Sequence, residues 1–351
     1  MLKCKRYPIR MTEPIILAID TSCDETSASV TCGRRILSNV ISSQIAIHQK
    51  YGGVYPALAK RAHQKRIDFV VQKAIKNAKN NRLDAIAVTQ GPGLAIALEV
   101  GIKKAKELST VYRLPLIAIN HLEGHIYACL AQSAGGLPKR EIIFPALCLI
   151  VSGGHTGLVL MKNHGTYQTL GQTLDDACGE ALDKAAKILK LGYPGGPIIE
   201  RLSEQAVQNF KFNIPLKNKS NLNFSYSGLK TQFLYLIQKM TKKEFDQNLQ
   251  NLAASFQSAC FEQIIRKTSQ AIKIYQSKML LCGGGVIANK TLRNLLRQTA
   301  KSNNLPVLFP PKKNLITDNA AMIGVAAYFK FFRKEFAKNL EELDREPRMQ
   351  L

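Results

Sequence analysis

The chain has 351 residues, of which 46% are hydrophobic and 21% are charged. This balance excludes a disordered or fibrous protein, and no apolar run approaches the roughly 18–20 residues that a membrane helix needs. Lys and Arg number 49 against 25 Asp and Glu, which leaves a formal charge of +24. The length predicts two domains or lobes, because a single core rarely grows past about 300 residues.

The first part of the chain predicts a sheet flanked by helices. Apolar or alternating runs predict strands at residues 15–19, 28–31, 36–41, 83–89 and 116–119. Helical spacing of apolar residues predicts one helix that starts at Pro56, a second over residues 96–110 and a third that begins near His121. The first two strands are separated by a small polar turn at residues 20–27.

The same order of elements then starts again. Strands are predicted at residues 146–151, 157–161, 167–170, 279–282 and 305–309. Helices are predicted at residues 176–189, most of 198–209, 230–239, 244–276, 289–300 and 318–332, with an irregular polar stretch at 212–228. The first two strands of this half are again separated by a small polar turn, at residues 152–156.

This repetition predicts a mixed α/β protein with two related lobes. Backbone N–H groups in such polar turns can bind phosphate, and ligands of open α/β sheets bind at the carboxyl ends of the strands. Two facing lobes would place both turns on one cleft. One Gly-rich turn is more often a simple tight turn, but a matched pair favours a ligand site.

Cysteines and charge predict the compartment and the partner. The eight cysteines contain no CxxC pair and fit free thiols in a reducing cytoplasm. The basic residues 1–10 are followed by a strand and not by an apolar signal core, so no secretion signal is predicted. Residues 60–82, 211–243 and 266–313 carry 8, 7 and 10 basic residues against one, zero and zero acids. Such one-sided stretches indicate a polyanionic partner, although a general lysine bias would also produce them.

Two histidines suggest a metal site. His121 and His125 share one face of a helix because they are four residues apart, and two such imidazoles can hold one metal. Glu123 stands on another face, so the motif is not the HExxH of metallopeptidases. Asp318 is the best candidate for a third ligand, and two His with one carboxylate suit non-haem iron or catalytic zinc. An isolated HxxxH is structural more often than not, and spacing alone cannot bring Asp318 to it.

Eight motifs, in order from about residue 15 to 330, resemble the TsaD family of tRNA adenosine threonylcarbamoyltransferases. They are Asp20-Thr-Ser-Cys-Asp-Glu-Thr, Tyr51-Gly-Gly-Val-Tyr-Pro, His121-Leu-Glu-Gly-His, Val151-Ser-Gly-Gly-His-Thr, Gly192-Tyr-Pro-Gly-Gly-Pro, Phe224-Ser-Tyr-Ser-Gly-Leu-Lys, Gly283-Gly-Gly-Val and Thr317-Asp-Asn-Ala-Ala-Met-Ile-Gly. The resemblance implies a two-lobed actin/Hsp70-like (ASKHA) fold of duplicated ribonuclease-H-like domains around a central cleft. We expect an N-terminal lobe at residues 1–140, completed by a C-terminal helix at about 318–351, and a C-terminal lobe at 141–317.

The resemblance also implies the reaction and its partners. The threonylcarbamoyl group of threonylcarbamoyl-AMP passes to the N6 amine of the adenosine 3′ of the anticodon, in tRNAs that read ANN codons, and AMP is released. TsaB-like and TsaE-like accessory proteins are expected partners, and the location is expected to be cytoplasmic, with no membrane partner.

The family's functional residues match particular positions of this chain. The expected ligands of one divalent metal, Fe²⁺ with Zn²⁺ as the alternative, are His121, His125 and Asp318. The residues expected to bind the donor are Val151, Ser152, Gly153, Gly154, His155, Asp183, Gly196 and Asn289. Asp183 would accept hydrogen bonds from the ribose, and Asn289 would meet the adenine–ribose end. Asp24 and Glu25 are candidates for acting on the amine or on a metal-bound water, but hydrogen bonding within the turn also explains them.

Three other functions stay open at the level of the sequence. An ATP-dependent kinase or ATPase of the actin-like superfamily would use the same polar turns but not the metal triad. A metallopeptidase lacks its HExxH glutamate, and a non-catalytic scaffold would not need the three ligands. Two regions depart from the family pattern: residues 95–99 lack the usual Gly/Ser-rich continuation, and the tail at 331–351 lacks the usual Trp-containing ending.

Overall fold

The computed structural model describes residues 13–80, 82–132, 140–217 and 220–351. Two five-stranded sheets dominate it. The first has the strand order β3-β2-β1-β4-β5, in which β1 pairs antiparallel with β2 and parallel with β4. Its strands are β1 (Ile15–Asp20), β2 (Glu25–Cys32), β3 (Arg35–Ser43), β4 (Ala85–Gly91) and β5 (Leu116–Asn120).

The second sheet repeats this arrangement with the order β10-β9-β6-β7-β8. The strand β6 pairs antiparallel with β7 and parallel with β9, as β1 pairs with β2 and β4. Its strands are β6 (Ala146–Val151), β7 (Thr156–Asn163), β8 (Thr166–Gln172), β9 (Met279–Gly283) and β10 (Val307–Leu308). The repeated order confirms the predicted α/β class with two related halves.

Ten α-helices cover these sheets in the described part of the chain. They are α1 (Ile45–His48), α2 (Pro56–Ala78), α3 (Ala95–Tyr112), α4 (His121–Tyr127), α5 (Cys178–Ile188), α6 (Gly195–Ser203), α7 (Ser227–Gln238), α8 (Lys242–Tyr275), α9 (Lys290–Ser302) and α10 (Ala320–Phe332). Short 3₁₀ turns occur at Gln49–Tyr51, Ala128–Leu130, Gly285–Ala288 and Lys313–Leu315.

A shared apolar core joins the two sheets. Every residue of the central strands β1 and β6 is buried. One cluster combines Ile16 and Ala18 from β1 with Cys148 and Ile150 from β6 and with the buried face of α10. The helix α10 also packs on β1, β2 and α4. The lobe boundary between residues 140 and 141 stays a prediction, and residues 133–139 beside it lie outside the described residues.

Several predicted elements differ in extent from those in the structure. The helix expected across most of 198–209 spans Gly195–Ser203, and the strand expected at 305–309 is limited to Val307–Leu308. The last helix begins at Ala320 rather than at Asp318, because the side chain of Asn319 caps it by accepting a hydrogen bond from the Met322 N–H (3.2 Å). Asp318 therefore precedes the helix.

The chain after α10 folds back over the first sheet. The Glu346 N–H donates to the Gln90 carbonyl (2.9 Å), and the Asn120 side chain donates to the Gln350 carbonyl (3.0 Å). The tail thus covers the carboxyl ends of β4 and β5. The departure from the family pattern at residues 95–99 forms the start of the helix α3, which is packed, with Ala97 and Leu98 fully buried.

Two further observations concern membrane spans and the cysteines. Among the described residues, no helix is long and apolar enough to cross a membrane. Seven of the eight cysteines are free thiols, and Cys4 lies outside the described residues, as does the basic segment 1–10.

Candidate metal centre and its cleft

The helix α4 positions both histidines. It starts directly after the buried strand β5, and the Asn120 side chain caps it by accepting hydrogen bonds from the N–H groups of Leu122 (2.8 Å) and Glu123 (3.4 Å). An Asn in this place fixes the direction of the first helical turn. Residues 121 and 125 are both buried, at 5% and 0% relative exposure. The two imidazoles therefore point to one place from a rigid support.

Asp318 reaches these imidazoles from almost 200 residues further along the chain. Its Oδ1 atom lies 3.4 Å from His121 Nε2 and 3.2 Å from His125 Nε2. The rings of the two histidines are edge to face, with centroids 4.7 Å apart. One ligand atom from each of the three residues lies within 4.8 Å of the others. The structure thus brings together the three residues that were predicted as metal ligands.

The charges of the three side chains in this triad are strongly coupled. Burial disfavours a charged His121, but attraction to Asp318 and to Asp20 outweighs this and raises its pKa to about 10. Burial lowers the pKa of His125. The two imidazoles hold the pKa of Asp318 well below its usual range, although burial opposes this shift. A carboxylate and two buried imidazoles in such close contact are an environment that a divalent cation would complete.

Several buried polar atoms around the triad lack a hydrogen-bond partner within the described chain. They include His125 Nε2, His121 Nδ1 and Asp20 Oδ2. Buried polar atoms are normally satisfied, so unsatisfied ones at one place indicate a missing ligand. Two imidazoles and a carboxylate are a donor set that fits Fe²⁺ or Zn²⁺.

Asp20 is a site residue that the sequence analysis did not single out. It is fully buried, and its Oδ2 lies 3.7 Å from His121 Nδ1. A carboxylate behind an imidazole orients the ring and increases its basicity. Its signal in the sequence is a charged residue at the end of a wholly apolar strand, Ile15–Asp20.

The first polar turn holds Asp24 and Glu25. Asp24 is buried, and Glu25 accepts a weak hydrogen bond from Ser43 (3.4 Å). Burial, Asp24 and Asp318 raise the pKa of Glu25 to about 10.

His63 anchors this turn and was also missed. Its Nε2 donates to the Cys23 carbonyl (3.0 Å), and its Nδ1 accepts from the Thr26 hydroxyl (2.8 Å). Burial lowers the pKa of His63, which keeps the ring neutral in this double role. A lone His on the helix α2 gave no sequence signal that distinguishes it from an ordinary core residue.

The second polar turn connects β6 to β7. The Ser152 N–H donates to the His155 carbonyl (2.7 Å), and the Ser152 hydroxyl accepts from the His155 N–H (3.1 Å). Gly153 and Gly154 are exposed at its tip, and a Cβ added to either would meet nothing within 4 Å. The tip of the turn therefore faces open space, which a ligand could enter and approach the backbone closely.

His155 ends the second polar turn. Burial and the two imidazoles of the triad lower its pKa to about 4, so a neutral ring can offer a nitrogen as donor or acceptor. A Cβ on Gly283 would lie 2.4 Å from the His125 carbonyl oxygen, and one on Gly284 would lie 2.4 Å from the Val151 carbonyl oxygen. The end of β6 that leads into this turn therefore lies near the helix that carries His125.

Asp183 and Gly196 meet at the start of the helix α6. One oxygen of Asp183 accepts hydrogen bonds from the N–H groups of Gly195 (2.7 Å) and Gly196 (3.3 Å). Its other oxygen has no partner within the described chain. Burial raises the pKa of Asp183 although these N–H groups oppose the shift. A cavity of about 350 Å³ lies beside Asp183, and residues 49–52 of the first half line its other side.

The side-chain amide of Asn289 uses most of its hydrogen-bonding groups within the protein. Its Oδ1 caps the helix α9 by accepting from the Leu292 N–H (3.1 Å), and its Nδ2 donates to Gln257 (2.7 Å). It is also buried, at 6% relative exposure. Gly284, in the Gly283–Gly285 segment that precedes Asn289, adopts φ +95°, and a Cβ there would lie 2.4 Å from the Val151 carbonyl oxygen. This close contact packs the Gly283–Gly285 segment against β6, the strand that leads into Ser152.

Solved structures with the same arrangement define the fold class. HypF of T. kodakarensis superposes with a TM-score of 0.58 at 11% identity, covering 94% of this chain and 49% of that protein. The Acidaminococcus fermentans (R)-2-hydroxyglutaryl-CoA dehydratase component A gives 0.51 at 13% identity, covering 90% and 98%. The chain therefore has the two-lobed actin-like (ASKHA) fold that was predicted.

Sequence comparison is more specific. Residues 35–325 match the family TsaD: tRNA N6-adenosine threonylcarbamoyltransferase. Relatives of this name are 44% identical in Moorella thermoacetica (93% of this chain, 94% of the relative), 47% in Clostridium kluyveri (91% and 93%) and 42% in Bacillus subtilis (90% of each). The chain belongs to the TsaD family.

Proposed function

We propose that this protein transfers the threonylcarbamoyl group of threonylcarbamoyl-AMP to the N6 amine of the adenosine 3′ of the anticodon, in tRNAs that read ANN codons. The observation that carries the proposal is the convergence of His121, His125 and Asp318, whose ligand atoms lie within 4.8 Å of one another. Membership of the TsaD family supports the reaction class.

In this proposal the bond changes are simple. The N6 amine forms a bond to the carbamoyl carbon, the bond from that carbon to the phosphate oxygen breaks, and AMP leaves with the electron pair. The amine also loses one proton, which passes to solvent. Because the acyl phosphate is already activated, the protein needs mainly to position the amine and the donor.

His121, His125 and Asp318 would hold one divalent cation, for which we propose Fe²⁺, with Zn²⁺ as the alternative. When bound, the cation would supply Lewis acidity that polarises the carbamoyl carbonyl. Asp20 orients His121 from behind, and the cap by Asn120 fixes the start of α4. These contacts keep both imidazoles aimed at one point.

The residues of the second half would bind the donor. The exposed backbone of Gly153 and Gly154 suits the phosphate or the carbamoyl oxygens. The unpaired oxygen of Asp183 can accept hydrogen bonds from ribose hydroxyls, and the neighbouring cavity of about 350 Å³ has a volume suited to a nucleotide. Asn289 has one N–H left after its two internal contacts and would act mainly by fixing the turn before α9.

The first polar turn would face the acceptor amine. Asp24 and Glu25 are the candidates in this turn for acting on the amine or on a metal-bound water.

The alternative function, an ATP-dependent kinase or ATPase, is not favoured. The fold alone permits it, but it gives no reason for two buried imidazoles and a carboxylate that converge on one point. We also propose that TsaB-like and TsaE-like proteins support turnover.

A reconstituted transfer assay tests the proposal. The purified chain, the accessory proteins, threonylcarbamoyl-AMP and unmodified tRNA are mixed, and modified adenosine is measured by mass spectrometry. H121A should lower single-turnover transfer on the order of 100-fold or more. The matched control H164Q removes a histidine that instead contacts Tyr127 and should retain transfer. Undiminished transfer by H121A would contradict the proposal.

A further inference from the structure

A second cavity lies at the outer edge of the second sheet, away from the triad. It has a volume of about 330 Å³ and is bounded by β10, the helix α9 and the Phe309–Pro311 segment. Three arginines line it: Arg140, Arg293 and Arg297. Nothing in the proposed donor site uses these side chains.

The three guanidinium groups are held in place without neutralisation. The Cζ atoms of Arg293 and Arg297 lie 4.9 and 5.3 Å from the ring centroid of Phe309, which is cation–π geometry. Arg140 donates from Nη1 to the carbonyls of Phe309 (2.8 Å) and Cys129 (3.3 Å). The contacts fix the arginines but leave their charge intact.

No carboxylate balances this charge among the described residues that line the cavity. Arg297 donates to the neutral side chain of Asn294 (3.0 Å). Burial, together with the charge of Arg297, lowers the pKa of Arg293. Three fixed like charges in a concave site repel one another, and a bound anion would relieve this repulsion.

Two further cations follow the cavity in the chain. Lys312 and Lys313 are exposed and come directly after Pro311. Asp318 comes seven positions after Pro311, so the cavity edge lies within about 25 Å of that residue. This distance is short compared with the length of a folded RNA.

We infer that this arginine cluster binds phosphodiester groups of the acceptor tRNA and positions it for the reaction at the triad. The inference rests on the proposed function for the identity of the RNA. Guanidinium groups bind phosphate through two parallel hydrogen bonds, and phosphate contacts set the position and register of a nucleic acid. Exposed lysines beyond the cavity extend the site along a polyanion, whereas a single small phosphate would not need them.

Equilibrium binding of fluorescent unmodified tRNA to the full chain, measured against KCl concentration, tests the inference. R293Q/R297Q should weaken binding about tenfold or more, and it should reduce the slope of log K against log[salt] by roughly 1.4–1.8, because two phosphate contacts are lost. The control K162Q/K338Q removes the same charge from exposed positions outside the three basic stretches and should leave the slope unchanged. AMP binding should be equal in all three proteins.

Three results would overturn the inference. They are an unchanged tRNA slope for R293Q/R297Q, an equal loss for K162Q/K338Q, and a loss of inorganic phosphate binding while tRNA affinity is retained. The last result would identify the ligand as a small phosphate. Should the double variant fail to fold, the single variant R297Q tests the inference instead. Arg297 is exposed, so the substitution should leave the fold intact. It should reduce the slope by about half as much as the double variant. Arginine-dependent binding without transfer by the wild type would uphold the cluster and contradict the proposed function.

Discussion

At the scale of single residues, the charge state of His121 should decide how readily the proposed metal site binds a cation. Asp318 and Asp20 raise its pKa to about 10 despite its burial. At pH 6 to 9 the metal-free site therefore carries a proton that a cation must displace. The pKa of Asp318 is already low, so this residue releases none in that range.

Metal affinity should consequently increase with pH. One displaced proton predicts about a tenfold rise in Zn²⁺ affinity per pH unit between pH 6 and 9, measured by competition with a chelator whose own pH dependence is known. Asp20→Asn should flatten this dependence because it lowers the pKa of His121. Asp84→Asn, which removes a carboxylate paired with Arg82, should not. A pH-independent affinity in the wild type would show that His121 is not the titrating ligand.

Substitution of Gly284 tests how tightly the Gly283–Gly285 segment packs against β6. Its φ of +95°, and the 2.4 Å that would separate an added Cβ from the Val151 carbonyl oxygen, exclude a side chain. Gly284→Ala should destabilise the protein by at least about 2 kcal/mol, measured by chemical denaturation. Gly285→Ala is a matched control, since its Cβ would meet only Thr317 at 3.8 Å. Equal stability of the two variants would contradict this packing.

At the scale of secondary-structure elements, the short helix α4 connects the first sheet to the candidate metal site, because it follows β5 and carries His121 and His125. Asn120 caps it and also donates to the Gln350 carbonyl of the C-terminal tail. The first turn of α4 carries His121, so the cap and the metal ligand are adjacent. The departure of the tail from the family pattern therefore matters for the site, because the tail touches the residue that orients α4.

Asn120→Ala should cost about 1–2 kcal/mol of stability and weaken metal binding about tenfold. Thr241→Ala removes the capping box of α8 and should cost similar stability while metal affinity is unchanged. Denaturation and chelator competition on both variants separate the two effects. If both caps affected metal binding equally, the link between Asn120 and the site would be lost.

At the scale of the whole molecule, the sheets are joined by one core. Residues of β1 and β6 lie in the same buried cluster as α10. Because this cluster belongs to both halves, they should unfold together. Calorimetry and circular dichroism should show one coincident transition, and two separate transitions would contradict the shared core.

Much of this architecture was predictable because it depends on local patterns. The central strands are continuous apolar runs, and the pair His121 and His125 follows from helical spacing. Packing between residues far apart in the sequence could not be predicted from such local patterns. Asp318 meets the histidines because α10 packs tightly on α4, where a Cβ on Gly124 would lie 2.8 Å from Ile323. The sequence made Asp318 a candidate ligand by its residue type and position, but spacing alone could not bring it to the histidines.

Other features of the site escaped prediction for similar reasons. The role of Asp20 depends on a 3.7 Å approach across the sheet edge, and that of His63 on a turn from another element. Asn289 is a helix cap, a role that its position before α9 makes possible but that sequence alone could not distinguish from ligand contact.

The central claim is that the triad holds a divalent cation. Anomalous X-ray diffraction at the iron edge, on crystals of anaerobically prepared protein, tests this most directly. The account predicts a single strong peak between His121 Nε2, His125 Nε2 and Asp318 Oδ1, at one metal per chain. A stoichiometric metal bound elsewhere, or no peak at this position in protein that is active in transfer, would contradict it.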